Sequence, residues 1–118
     1  MKIYTRHEFL NLPEGTIFAK GKEWYFDHLQ VKGKTLPPDE DGYCGDFYCM
    51  EFEGVECSDS GESFNRLDDM LKNGTSYPMH NSESRDGMFD LDDLFLVFEK
   101  SDLLILKQYI EEAIEISN

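Results

Sequence analysis

The spacing of apolar residues along the chain switches from helical to alternating and back to helical. Thr5 followed by Glu8 matches the S/T-x-x-E capping box, in which each side chain satisfies a free backbone N–H at a helix start. A short helix over 6–11 is expected, closed by the turn Leu12-Pro13-Glu14-Gly15. From Thr16 the runs become short and β-rich, at 16–20, 23–26 and 29–32, with turns at Gly21-Lys22 and Gly33. This is the pattern of a meander, whose two glycine turns would lie at one end and gather Lys20, Lys22, Lys32 and Lys34 there.

Pro37-Pro38-Asp39-Glu40-Asp41-Gly42 reads as a loop. In the strand that follows, Tyr48, Met50 and Phe52 point one way and Phe47, Cys49, Glu51 and Glu53 the other. Phe64, Leu67, Met70 and Leu71 then recur at helical spacing, predicting a helix over 62–72 that ends at Asn73-Gly74. Residues 75–87 read as a loop. The run Leu94-Phe95-Leu96-Val97-Phe98 suits a central strand covered on both faces. Ser101-Asp102 caps a last helix with the apolar stripe Leu103, Leu106, Ile110, Ala113 and Ile114. The expected fold is a single α+β domain over 1–118: a curved antiparallel meander, barrel-like at the limit, with a short N-terminal helix and two later helices packed on the sheet.

Composition supports a folded chain, because 118 residues with 40% hydrophobic content, nine Phe and six Tyr are enough for one core. No signal-peptide-like or membrane-spanning apolar run occurs, so a cytoplasmic location is expected. Charge changes the picture more. Eleven Lys+Arg against 25 Asp+Glu give a net charge of -14, which disfavours nucleic acid and anionic membranes as direct partners. The charge is also uneven. Residues 1–36 carry six basic and four acidic side chains, so the remainder holds five basic and 21 acidic ones.

Candidate chemistry is sparse. Cys44, Cys49 and Cys57 lack a C-x-x-C pair, and His7, His28 and His80 are scattered, so reduced packing thiols are expected and no metal or cofactor. The acidic runs at 39–42 and 90–93 lack the ligand order of an EF-hand. Gly61-Glu62-Ser63-Phe64-Asn65 has Asn65 where a nucleophile elbow needs glycine. No catalytic residue is assigned, and the chain is not expected to be an enzyme.

The carboxylates remain. Asp39, Glu40, Asp41, Asp46, Glu51, Glu53, Asp68, Asp69, Asp90, Asp92, Asp93, Glu111, Glu112 and Glu115 recur on strand, helix and loop, with Tyr43 and Phe47 beside them as aromatic anchors. Such an array would be steered toward a basic groove as nucleic acid is, although acidic faces also serve solubility alone. The alternative site is anionic-ligand binding at Lys20, Lys22, Lys32 and Lys34, as in a protein that sequesters a nucleotide signal.

The segment Ile3-Tyr4-Thr5-Arg6-His7-Glu8-Phe9-Leu10-Asn11-Leu12-Pro13-Glu14-Gly15-Thr16 resembles the start of small uncharacterised proteins encoded by bacteriophages and prophages. The resemblance covers roughly the first twenty residues, is structural in character and transfers no functional residue. It implies a phage accessory protein of the bacterial cytoplasm. The expected function is inhibition of a nucleic-acid-handling defence complex, of anti-CRISPR or anti-restriction type and DNA-mimic character, by binding a protein or ribonucleoprotein with a basic groove. A structural phage protein is the remaining alternative.

Overall fold

The computed structural model describes residues 1–38, 45–52, 54–87 and 90–117. Its elements in chain order are β1 (Lys2–Thr5), α1 (Arg6–Phe9), β2 (Ile17–Lys22), β3 (Tyr25–Thr35), β4 (Phe47–Glu51), α2 (Ser60–Asn73), β5 (Glu83–Arg85), β6 (Leu94–Val97) and α3 (Lys100–Ile116). The six strands form one antiparallel sheet in the order β1-β6-β2-β3-β4-β5. This is the expected α+β class with an open sheet, whose edges β1 and β5 do not close into a barrel.

Local signals explain the helix starts. Thr5 and Glu8 form the reciprocal capping box, with the Thr5 N–H donating to Glu8 Oε1 at 3.1 Å and the Glu8 N–H to Thr5 Oγ1 at 3.3 Å. Asp59 caps α2 by accepting from the Glu62 N–H at 2.7 Å, and Gly74 ends it in the left-handed region at φ 69°. The cap of α3 is Glu99, one turn before Asp102, rather than Ser101-Asp102.

Both glycine turns of the expected meander are displaced. The β2–β3 turn falls at Glu23-Trp24, and Gly21 lies inside β2, where an added Cβ would come within 2.0 Å of the Tyr25 carbonyl oxygen. Gly33 lies within the 11-residue β3, at a register shift between Lys32 and Thr35 where β4 comes close; a Cβ there would sit 3.0 Å from the Tyr48 carbonyl oxygen. These glycines permit backbone approach, not chain reversal. The four lysines therefore do not share one end: Lys22 pairs with Tyr25 at the hairpin tip, whereas Lys32 bonds through its backbone to Gly15 and Thr16 at the other end of the hairpin.

The core lies on one face of the sheet. Phe18 and Val97 are cross-strand neighbours, Phe95 follows on β6, and Phe47 and Cys49 continue the face on β4. Phe9 of α1 drops onto this surface, with its ring centroid 4.1 Å from Phe95, 4.6 Å from Phe18 and 5.1 Å from Phe47. On the opposite face Ile17, Leu29, Val31, Met50, Leu94 and Leu96 are only half-buried. β6 is thus central as expected but closely covered on one face.

Neither α2 nor α3 buries any described residue, so the two later helices cover the sheet less than their apolar stripes suggested. The molecule is correspondingly long, 52 × 36 × 25 Å with a radius of gyration of 16.9 Å, against about 13.5 Å for a compact chain of this length. Among the described residues no helix is long and apolar enough to cross a membrane.

Candidate functional site

Three cations from the first part of the chain meet three carboxylates from a late loop at the β2–β3 end of the sheet. Arg6, placed by the first turn of α1 and only 2% exposed, donates to Asp86 Oδ2 at 2.7 Å, to Asp93 Oδ2 at 3.1 Å and to the Gly45 carbonyl oxygen. Its guanidinium also lies 5.5 Å from the Phe95 ring centroid, so the ion cluster and the aromatic core share a wall. Lys20 adds contacts to Asp86 at 3.0 Å and Asp93 at 3.5 Å, and Lys22 reaches Asp90 at 2.7 Å and Asp93 at 3.0 Å.

These contacts fix the charge states. Burial alone would raise the Asp93 carboxyl, but hydrogen bonds from Lys22 and Arg6 outweigh it and hold the group below the usual carboxylate range. Asp90 is lowered by Lys22 and by the Asp92 N–H, and Lys22 is raised by both acids. Nearby Asp46, 3% exposed, accepts from the Phe47 N–H at 2.9 Å, the Gly87 N–H at 3.0 Å and Arg85 Nε, so its carboxyl too is held low against its burial.

Above the cluster opens a cleft of about 590 Å³, between the β2–β3 turn and the segment 91–94. Lys22 and Asp93 form its floor. Its mouth is Glu23, Asp92, Leu91 and Trp24, the last 82% exposed. With the three cations below matched by Asp86, Asp90 and Asp93, Glu23 and Asp92 set the sign of the mouth. The result is an acidic cleft with an aromatic rim, suited to a cationic side chain that can lie on the indole face.

The expected acids fall into separate groups. Asp90, Asp92 and Asp93 belong to the cleft. Asp46 and Phe47 are not surface anchors: Asp46 stitches the loop at 85–87, and Phe47 is 1% exposed in the core, because its strand face is the one α1 covers. Glu51 stays half-exposed on β4 with His28 Nε2 3.9 Å away. On α2, Asp68 pairs with Lys72 at 3.0 Å, while Asp69 accepts from Tyr77 at 2.6 Å and Asn73 at 2.7 Å. Glu111, Glu112 and Glu115 line the solvent side of α3. Asp39, Glu40, Asp41, Tyr43, Cys44 and Glu53 lie outside the described residues.

The lysines also separate. Lys20 and Lys22 are engaged by carboxylates, and Lys32, 2% exposed, donates to Thr35 Oγ1 at 2.8 Å and the Gly33 carbonyl oxygen at 3.1 Å. Lys34 alone of the four is exposed. Cys49 packs in the core, where burial first, then Glu51 and Asp86, push its thiol up to about 11, so it is a neutral apolar filler at pH 7.

A second hollow, about 260 Å³, brings together Glu51, Cys57, Ser63 and His80, but the His80 imidazole is turned to Glu56 at 3.5 Å. Among the described residues no group of His, Cys, Asp and Glu side chains could hold a metal ion.

Sequence reasoning missed Arg6, Asp86, Glu23 and Trp24. The signal for the first two was the charge asymmetry itself, a basic leading segment and an acidic remainder that the fold brings face to face. No protein-family model, curated protein or solved structure matches the chain.

Proposed function

We propose that this protein is a non-enzymatic inhibitor that occupies a cationic, nucleic-acid-binding groove on another protein or ribonucleoprotein. The observation that carries this reading is an acidic, elongated body: the described residues carry 21 acidic and 11 basic side chains, a net of 10 negative charges on a molecule 52 Å long. Nucleic acid is held in such grooves by the high charge density of its phosphates, and a long body of the same sign is attracted there by the same long-range field. The Trp24 cleft supplies what density alone lacks, a fixed seat for an arginine between the Glu23 and Asp92 carboxylates. In the phage setting implied by the N-terminal resemblance, the partner class is a bacterial defence complex that handles nucleic acid, in the host cytoplasm.

The test is competition. The immobilised protein is offered purified bacterial nucleic-acid-handling complexes at rising salt and with added duplex DNA. A captured complex should be displaced by the duplex, and its affinity should fall more than about tenfold between 50 and 200 mM salt, as expected when several charge contacts are screened. Capture indifferent to both salt and duplex overturns the reading.

A further inference from the structure

The two walls of the Trp24 cleft come from distant parts of the chain, and one side chain spans them. Glu23 and Trp24 form the β2–β3 turn, closed by the pairing of Lys22 with Tyr25. Leu91 and Asp92 form the tip of a tight turn over 90–93. In it the Asp93 N–H donates to the Asp90 carbonyl oxygen at 3.1 Å, and the Asp92 N–H to Asp90 Oδ1 at 3.0 Å. Strand pairing secures this turn at its far end, where Leu94 lies opposite Gly21. Asp90, at the near end, is exposed and belongs to no strand.

Lys22 supplies the missing hold. Its ammonium donates to Asp90 Oδ2 at 2.7 Å and to Asp93 Oδ1 at 3.0 Å, one carboxylate at each end of the turn. The second oxygen of each carboxylate is already in use, Asp90 Oδ1 by the Asp92 N–H and Asp93 Oδ2 by Arg6 at 3.1 Å. Arg6 and Lys20 also reach Asp93, but among the described residues Lys22 is the cation that reaches Asp90. Because Lys22 directly precedes Glu23, the same residue fixes one wall through its backbone and the other through its side chain.

We infer that Lys22 is a positioning residue of the cleft, a clasp that sets the spacing between the Glu23-Trp24 wall and the Asp92 wall so that both carboxylates meet one guanidinium. The inference rests on the arginine seat proposed above and names what assembles it. A two-pronged guanidinium contact tolerates little change in the separation of its acceptors. Released at Asp90, the turn would carry Asp92 away from the indole, and the two carboxylates would act separately as ordinary surface charges. A clasp and a purely electrostatic floor lead to opposite outcomes for one substitution. Removing a cation from beneath a cation-binding cleft strengthens binding if charge alone matters, and weakens it if that cation holds the walls.

The test titrates N-acetyl-arginine amide against the full chain and follows the emission of Trp24, the single tryptophan. Lys22→Met should weaken binding of this probe at least about fivefold, while Lys22→Arg, a cation of similar reach, should stay within about twofold of the unmodified chain. Asp90→Asn shifts the charge in the same direction as Lys22→Met shifts it, toward or away from neutrality, only with the opposite sign; it leaves Lys22 a neutral acceptor and should weaken the probe as well. Two substitutions of opposite charge change that both weaken binding identify the clasp, and the exposed Asp90 site keeps the fold intact. Without the probe, the Asp92 and Asp93 amides should exchange at least about tenfold faster in Lys22→Met. Binding that tightens or stays level in Lys22→Met, or amides as protected as before, overturns the clasp. A chain that gives no response to the probe, yet shows the faster amides in Lys22→Met, overturns the arginine seat instead and the positioning role with it.

Discussion

On the packed face of the sheet, Phe9, Phe18, Phe47 and Phe95 close on one another and even the Arg6 guanidinium is shut away from water, whereas on α3 a comparable set of large side chains, Ile105, Tyr109, Ile110 and Ile114, stands in solvent. The two regions do not differ in residue type so much as in what the chain places opposite them. The sheet face receives α1 and the segment that follows it, tied down by the Gly15 N–H to the Lys32 carbonyl oxygen at 2.8 Å and by Thr35 Oγ1 to the Leu10 carbonyl oxygen at 2.7 Å. Helix α3 leaves the sheet soon after β6 and buries no residue against a second layer among the described residues. Apolar periodicity marks the side of an element that gains from cover; whether the cover comes from the same chain depends on contacts distant in sequence.

The contrast is sharpest under truncation. Phe95→Ala should cost about 3–5 kcal/mol of folding stability, because the cavity is walled by three other rings and cannot collapse. Ile114→Ala, at a site 65% exposed, should change it by less than about 0.5 kcal/mol. Urea unfolding followed by circular dichroism measures both. Similar costs at the two sites would mean that α3 is packed on the domain after all.

The carboxylates divide in the same way. Asp93→Ala leaves Arg6 and two ammonium groups at a site 5% exposed, and a loss of about 3 kcal/mol is expected, at the lower end for a broken buried pair because Lys20 and Lys22 can still reach water. Asp68→Ala removes only a surface pair with Lys72 and should cost within about 0.5 kcal/mol. The pH dependence has a definite sign. Asp93 and Asp46 have folded-state values below the ordinary 3.8, so their contribution is complete above that value and disappears as pH falls through the lower folded values. The melting temperature should thus be level from pH 7 to about 4.5 and drop below about 4, with a shallower drop in Asp93→Asn.

What could be read from the sequence follows from the range of each interaction. The capping box at Thr5, the Gly74 exit of α2 and the period-two faces of β4 depend on neighbours a few residues away, and all were legible. β1 and β5 were not. Each is short, β5 is wholly polar, and β1 exists by pairing with β6 about ninety residues later in the chain. Gly21 and Gly33 misled because glycine signals either a turn or a close approach, and only the register of the partner strand separates the two. The acidic character of the site was visible in the composition, but not that Asp46, Asp86 and Asp93 would be consumed internally by Arg85, Arg6 and the two lysines. That pairing joins residues as far apart as 6 and 93.

The smallest effect on the fold should come from the residue with most to say about function. Trp24 sits at a hairpin tip, 82% exposed, with no core neighbour to lose, so Trp24→Ala should shift folding stability by less than about 0.5 kcal/mol. If it is the rim of a docking cleft, the same change should weaken capture of the cationic partner at least tenfold, the behaviour of an aromatic anchor at the centre of an interface. As the single tryptophan of the chain it also reports on itself. Its emission should lie at the wavelength of a hydrated indole in the free protein and move to the blue when the partner covers it. A variant that binds normally, or an emission unmoved by binding, would detach the cleft from the acidic body and leave the charge alone to explain recognition. A Trp24→Ala variant that unfolds easily would place the indole among the structural rings instead, and the line between the packed face and the exposed surface would have to be redrawn at the hairpin tip.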